Sequence, residues 1–417
     1  MTYLVWTAAG GLILLGLMET VLSLRLMRFL ARRPEQELHA GTLPGAAVIL
    51  PLRGADPSLR DCLHSLLQQD YTGYSLHVVV DSRQDPAWDL VNAEMRKATD
   101  DRLRLHVLDT IPASCSLKCA GLAEVAGHLD KDTDIVVLVD ADTMPSSTWL
   151  RRMVNGLRQS GASAVSGMRW FVPRGNSMAA FVRYLWNAGS VVQMYRHGIA
   201  WGGCLAFERK LFEETDLVDR LRHAYGEDTL LDSVLRKHDL AMVFDPSLVL
   251  LTREDTSFTG FLGWACRQMI SVRLHHSGWF KILLFGLLQW LLLLSCLILA
   301  LQGLWTGDTT QAGIAGLTLL GYALLQSLLL LVGESMISHR IAVGEKTQSP
   351  LSRLQTFMLP AAILLTQILH GFILLAAVFR KTVTWRGIPY RIEGKGKIRL
   401  LSYTPYVQEQ NTKNRSL

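Results

Sequence analysis

Charge is scarce in this chain. Asp, Glu, Lys and Arg make up only 19% of its 417 residues, hydrophobic residues make up 49%, and the mean hydropathy is +0.22. A soluble globular chain carries about 25% charged residues. The shortage is concentrated in four stretches, residues 2–18, 282–307, 309–333 and 354–379, none of which contains Asp, Glu, Lys or Arg. A membrane-spanning helix needs about 20 largely apolar residues, and the last three stretches meet that length. The first is shorter, with Glu19 falling inside any window that completes it. These runs exclude a soluble cytosolic enzyme, a secreted disulfide scaffold and a disordered chain.

Further absences narrow the choice. No basic residue precedes the first apolar run, whereas Arg25, Arg28, Arg32 and Arg33 follow it. That order fits an uncleaved anchor with its downstream side in the cytoplasm, the bacterial inner membrane or its equivalent being the expected location. The six cysteines show no metal-site spacing, so reduced, buried thiols are expected. No G-x-G-x-x-G follows the first predicted strand and no G-x-x-x-x-G-K-[ST] occurs, so a nucleotide would have to be held by side chains and a metal. There are no long repeats or low-complexity tracts. The net charge of +6 does not call for nucleic acid, because the basic residues cluster beside the apolar runs, where they suit anionic headgroups. No nucleic-acid partner is expected, and the sequence leaves the oligomeric state open.

Between the runs the composition is ordinary. Short Val/Ile/Leu-rich runs at 46–50, 76–80, 103–108 and 135–139 alternate with helical periods over 59–67, 85–98 and 117–129. Near-continuous apolar strands separated by helices indicate an α/β fold with a mostly parallel sheet covered on both faces. Ligands of such open sheets bind beyond the C-terminal strand ends. Pro51, Arg53, Asp81, Asp140 and Asp142 all fall at such ends. The expected organisation is an anchor helix over 1–24, a cytoplasmic α/β domain over 25–257 and an amphipathic interfacial helix over 258–280. Membrane helices over 281–379 and a basic tail over 380–417 complete it. That tail holds nine Lys/Arg against two Glu, with Tyr and Trp interleaved, which suits a surface element at headgroup level.

Two carboxylates stand at the end of the fourth strand, Asp140 and Asp142. Residues two apart at a strand end point the same way, so both can face one hard cation. Mg²⁺ or Mn²⁺ takes oxygen ligands and commonly binds one or two carboxylates together with phosphates. The competing role is loop capping. Farther on, Ala224-Tyr-Gly-Glu-Asp-Thr-Leu-Leu reads as a turn entering an amphipathic helix. Asp228 there fits either a helix N-cap or a general base, and spacing alone does not separate the two.

The order Asp81, Asp140-Ala-Asp142, Glu227-Asp228, Arg267-Gln268 resembles the inverting glycosyltransferases of families 2 and 21, of GT-A fold. Within them it is most similar to the ceramide glucosyltransferase-like membrane branch. Trp201-Gly-Gly-Cys-Leu-Ala-Phe and Thr384-Trp-Arg-Gly-Ile-Pro-Tyr-Arg resemble further segments of that branch. The resemblance implies that Asp81 binds the base or ribose of a nucleotide sugar, a turn-capping Asp being its alternative. It implies that Asp142, with Asp140, holds a divalent ion (Mg²⁺ or Mn²⁺) on the diphosphate, and that Asp228 is the catalytic base. Trp201, Gly202, Gly203 and Glu227 would lie on the acceptor side. Lys118 would approach the nucleotide, or else be a solvated helix lysine; Arg53 would approach it, or else end a strand.

The family's Q-x-x-R-W motif is degraded here. Gln268 fits the first position, but Ser271 and Val272 replace Arg and Trp. Arg267 and Arg273 are the replacements for a cationic diphosphate contact, with a basic interfacial helix carrying Arg267, Arg273, His275 and His276 as the alternative. The resemblance thus implies a membrane-bound hexosyltransferase acting on a UDP-sugar donor and a membrane lipid acceptor of ceramide, diacylglycerol or hopanoid type. A processive polysaccharide synthase and a non-catalytic nucleotide-sugar-binding membrane subunit are its rivals. One difficulty concerns topology. With the domain inside, three further full spans would leave the basic tail outside, unless 354–379 turns back at Pro360 or Gly371.

Overall fold

The structure is a computed structural model that describes residues 2–31, 43–97, 101–173, 177–341 and 351–406. Ala98, Arg32, Arg33 and the tail beyond Tyr406, which figure in the sequence expectations, lie outside these residues. The chain begins with helix α1 (Thr2–Ala31) and then enters the α/β domain. The domain's first half runs β1 (Gly45–Leu52), α2 (Leu59–Leu67), β2 (Tyr74–Val80), α3 (Pro86–Lys97), β3 (Leu103–Val107), α4 (Leu117–Ala126) and β4 (Thr133–Val139). Its second half runs α5 (Trp149–Ser160), β5 (Ala164–Phe171), α6 (Met178–His197), β6 (Cys204–Glu208), α7 (Lys210–Glu214), α8 (Leu217–Leu221), α9 (Glu227–Lys237) and β7 (Met242–Thr252). Helix α10 (Phe258–His275) leads into α11 (Trp279–Thr306), α12 (Thr309–Ile341) and α13 (Arg353–Phe379). Strands β8 (Thr382–Trp385), β9 (Ile388–Gly394) and β10 (Lys397–Leu400) follow.

Seven strands form one sheet in the order β3-β2-β1-β4-β6-β5-β7. The pairs β1–β2, β2–β3, β1–β4 and β5–β7 are parallel, and β6 runs antiparallel to β4 and β5. Alternation along the central strands divides their side chains between two cores. Ile135, Val137 and Val139 of β4 enter the core that holds α2 and α5, while Val136 and Leu138 enter the one that holds α4 and α6. Both faces are therefore buried, which is why these strands read as unbroken apolar runs. The six cysteines are free and buried.

Four helices, α1, α11, α12 and α13, are long and apolar enough to cross a membrane. Glu19, which shortens the first apolar run, sits inside α1 and accepts hydrogen bonds from Gln289, Tyr322 and Gln326 of α11 and α12. Several contacts tie the long apolar helices to the domain. The descending α11 and returning α12 form a hairpin about Gly307 and Asp308. Glu334 near the end of α12 accepts from Trp170 and Tyr184 of the domain. At the end of α13, Arg273 of α10 donates to the carbonyls of Ala377, Val378 and Arg380. Helix α13 thus ends against the domain, and it runs there as one continuous helix with Pro360 inside it, unbroken at Gly371.

The basic tail, expected as a surface element at headgroup level, is folded over its described residues. Strands β8 to β10 form an antiparallel sheet on the α/β domain, where Leu400 N–H donates to Ala113 C=O and Tyr390 Oη accepts from Leu117 N–H. Its hairpin tip, Arg386-Gly387, has φ of 48° and 81°, the two positive angles of a tight primed turn.

Candidate functional site

Asp140 is the first residue beyond β4, and the Thr143 hydroxyl donates to its carbonyl to close the turn that carries Asp142. Helix α4 is capped by Ser116, whose side chain accepts from Cys119 N–H, so Lys118 projects from the first turn. From there Lys118 Nζ reaches Asp140 at 2.8 Å and Glu227 at 2.6 Å. It is therefore an embedded bridge between the metal-type carboxylates and the start of α9, which overturns its alternative as a solvated lysine. Burial works to lower the Lys118 ammonium, but Asp140 and Glu227 outweigh it and hold the group above the ordinary lysine range.

Arg169, on β5, joins the two carboxylates. It lies 2.8 Å from Asp140 and 3.0 Å from Asp142, and stacks over Trp201 with 4.6 Å to the ring centroid. Burial tends to raise both acids. Lys118 and Arg169 overcome this at Asp140, which falls to about 2, whereas Asp142 remains above its usual value with Asp140 beside it. Two carboxylates that converge on one guanidinium also converge on a position a single hard cation can share. The donor set is oxygen only, with further ligands left to a diphosphate and water, and so fits Mg²⁺ or Mn²⁺.

Asp228 lies in the first turn of α9 and does not cap it; Gly226 stands at the N-cap position. Its carboxylate accepts from the N–H of Gly202 at 3.2 Å and of Thr229 at 2.6 Å. Burial first, and neighbouring Glu227 second, push it up to about 7. Gly202 and Gly203 are needed for this closeness. A Cβ on Gly202 would collide with Glu227, and one on Gly203 with the Trp201 ring and Asp140. Trp201 Nε1 donates to Asp140 at 3.2 Å, so the Trp201–Gly203 loop bridges the two carboxylate groups. Ser271, at the position of the family's missing Arg, exchanges a 2.8 Å hydrogen bond with Thr229 and so braces the start of α9.

Arg53 and Asp81 pair with each other, both almost fully buried. Arg53 also donates to Arg386 C=O at 2.9 Å and Thr404 C=O at 2.6 Å, between the rings of Tyr403 and Tyr406. Arg386 forks onto Asp56 at 2.8 and 2.5 Å. The C-terminal sheet thereby closes over the end of β1. Arg267 and Gln268 of α10 line the same cavity as Asp140 and Asp228. Arg273 does not join them, because its guanidinium is spent on the end of α13. Nor does α10 present a basic face through its histidines: His275 and His276 are buried, and burial lowers both, His275 to about 4.

The cavity has a volume of about 310 Å³. It begins among Arg53, Asp56, Asp140, Asp142 and Arg386, passes Trp201, Asp228 and Gln268, and ends between membrane-length helices at Gly286, Gln289, Gln367, His370 and Glu19. Among the cavity's charged residues, sequence reasoning singled out neither Arg169 nor Arg386. The first had a faint signal, a lone arginine in an otherwise apolar strand, which needs a partner when buried. The second sits where Trp-Arg-Gly-Ile marks a two-residue hairpin turn.

An α/β domain whose strand ends gather paired carboxylates above a passage into membrane helices defines a GT-A glycosyltransferase domain joined to a membrane-helix bundle. The chain belongs to glycosyl transferase family 21, whose sequence pattern matches residues 10–398. Among curated proteins it is similar to an N-acetylglucosaminyltransferase of Rhizobium leguminosarum bv. viciae, 26% identical over 174 residues, covering 40% of this chain and 39% of that one. It is also similar to a ceramide glucosyltransferase of Komagataella phaffii, 28% identical over 119 residues, covering 28% of this chain and 23% of that one. The chain thus matches less than half the length of either relative. Among solved structures, a mannosyltransferase from Pyrobaculum calidifontis in complex with GDP-Man and Mn²⁺ aligns with a TM-score of 0.47 and 17% identity. That alignment covers 89% of this chain and 97% of the other.

Proposed function

We propose that the protein transfers a hexose from a UDP-sugar to a hydroxyl of a membrane lipid, with inversion at the anomeric carbon. The observation that carries this is the single cavity linking Asp140, Asp142 and Asp228 to the interior of the membrane helices. A soluble acceptor has no need of such a passage. The resemblance favours UDP-glucose as donor. The basic residues Arg25 and Arg28 after the first apolar run favour a cytoplasmic domain.

In this proposal Asp140 and Asp142 are the residues that would hold a divalent ion, Mg²⁺ or Mn²⁺. When bound, the ion offsets negative charge developing on the leaving group. Arg169 and Arg267 add positive charge around the diphosphate. Asp81, released from Arg53, and the Arg386 hairpin serve the nucleotide end. The lipid hydroxyl lies at Asp228, whose carboxylate is fixed by two backbone N–H groups and takes the hydroxyl proton as the oxygen attacks. The new bond joins that oxygen to the anomeric carbon, and the bond to the diphosphate breaks with its electron pair leaving on UDP. One displacement inverts the centre. A carboxyl poised near 7 suits the task, because a base works best when its pKa lies near the working pH.

The test is product formation by the full chain in nanodiscs, given a panel of UDP-sugars, Mn²⁺ or Mg²⁺ and a total lipid extract, with Asp228→Asn in parallel. A glycolipid that requires metal and disappears in the variant is expected. A long polymer would favour the processive synthase. Donor binding without any product would favour the non-catalytic subunit.

A further inference from the structure

The deep end of the cavity is polar, although it lies among membrane-length helices. Polar side chains inside a membrane span are costly, and those facing a cavity mark binding or transport sites. His370 and Gln289 are among those with hydrogen-bonding capacity left over. Trp186 Nε1 donates to His370 Nδ1 at 3.1 Å. An indole N–H is a donor only, so Nδ1 accepts and the ring proton sits on Nε2. Nothing among the described residues accepts from Nε2. It lies 3.2 Å from where a Cβ on Gly286 would be, a position Leu374 crowds more closely still, at 2.5 Å.

Gln289 supplies the complementary group. Its amide nitrogen donates to Glu19 at 2.9 Å and to the Tyr322 hydroxyl at 2.5 Å, which uses both of its hydrogens. Tyr322 and Gln326 donate to the other oxygen of Glu19 at 3.1 and 2.8 Å. Glu19 is thereby satisfied on both oxygens and fixes the Gln289 amide, whose own carbonyl oxygen receives nothing from the described residues. One N–H donor on α13 and one C=O acceptor on α11 match the hydrogen-bonding complement of a hydroxyl group.

We propose that His370 and Gln289 form a second-hydroxyl subsite within the membrane-helix bundle, so that the acceptor is a polyhydroxylated lipid rather than one whose attacking hydroxyl stands alone. This rests on the lipid-acceptor reading above. Depth supports it: His370 lies nine residues before the end of α13 and Gln289 ten after the start of α11. At 1.5 Å per residue both lie roughly 14 Å in from those helix ends. Glu19 is a positioning residue that acts through Gln289.

The experiment measures equilibrium binding to the full chain in detergent, with UDP and Mn²⁺ present. The probes are a radiolabelled saturated long-chain alcohol with one terminal hydroxyl, and diols of the same length whose second hydroxyl is stepped along the chain. At least one diol is expected to bind about tenfold more tightly than the mono-alcohol, the scale of one well-made buried hydrogen bond. Gln289→Leu and His370→Phe, on different helices, should each remove that preference while mono-alcohol binding is kept. His370→Gln, whose amide can accept from Trp186 and still donate, should restore it in part. Equal binding of all the alcohols by the unaltered protein would overturn the subsite, as would a preference surviving both variants. Because binding needs no turnover, the outcomes separate cleanly: transfer without diol preference sinks the subsite alone, and diol preference without transfer sinks the transferase reading alone.

Discussion

The cavity treats its carboxylates in opposite ways at the proposed donor and acceptor positions. At the donor end each acid meets a cation: Asp81 meets Arg53, Asp56 meets Arg386, Asp142 meets Arg169, and Asp140 meets both Lys118 and Arg169. At the acceptor end Asp228 meets two backbone N–H groups and has another acid, Glu227, beside it. Asp140 and Asp228 are both buried at element ends, yet one is drawn down to about 2 and the other pushed up to about 7. Burial acts alike on the two, so the neighbours decide. A carboxylate that stays charged suits binding a cation, and one near neutrality suits exchanging a proton; titratable groups pushed apart in this way point to an assignment of roles.

The sharpest way to break the comparison is Asp228→Asn. If the acceptor end supplies the base, transfer should fall by about 10²–10⁴-fold while UDP-sugar affinity, measured by calorimetry, stays within about threefold. A loss shared equally by binding and turnover would assign Asp228 to the donor end instead. Smaller in effect, Asp142→Asn and Asp140→Asn should weaken Mn²⁺ binding in the presence of UDP by at least about tenfold, read by electron paramagnetic resonance. Unchanged Mn²⁺ affinity in both would remove the ion from these carboxylates.

The pH profile sharpens the same contrast. Asp228 is protonated below about 7, and a neutral carboxylic acid is too weak a base to take the acceptor's proton, so transfer should decline as pH falls through that value. Glu227→Gln removes the adjacent negative charge and should move the midpoint of the decline to lower pH. A profile indifferent to Glu227 would mean the titrating group is elsewhere. In stability the sign is reversed. A carboxyl whose folded pKa exceeds its unfolded one binds extra protons in the native state, so its contribution is greatest at low pH and is lost as pH rises through about 7.

Much of the donor end was legible because β-strands have a rigid period. A run such as Ile-Val-Val-Leu-Val ending in Asp140 fixes which residue emerges at the sheet edge, and Asp81 follows by the same logic after β2. Partners distant in sequence were not legible. Lys118 looked equally apt for solvent until α4 was seen aimed at Asp140 and Glu227. Arg273 carried the right chemistry for a diphosphate, but the end of α13 claims it. Glu19 appeared only to weaken the first apolar run, because its three donors come from helices more than two hundred residues away. The tail's charge suggested a membrane surface, and its sheet was not foreseen because two of its three strands have only four residues and carry little periodic signal.

The mildest predicted perturbation concerns how the donor end is closed. Arg386 occupies a positive-φ turn position and sends both guanidinium nitrogens to Asp56, while its carbonyl accepts from Arg53, which in turn holds Asp81. Arg386→Lys keeps the charge and the backbone link but replaces the fork with a point charge, costing one hydrogen bond of roughly 1 kcal/mol. Amide exchange at Gly54 and across 403–406 should quicken by about fivefold, and UDP affinity should shift by a similar factor or less, because the hairpin loosens without leaving. If exchange is unaltered while UDP affinity collapses, Arg386 contacts the nucleotide directly and the closing role assigned to the Asp56 fork is wrong. If both are unaltered, the tail is held by Arg53 and the Tyr390–Leu117 contact alone, and the cations of the donor end divide into those that bind ligand and those that only brace the fold.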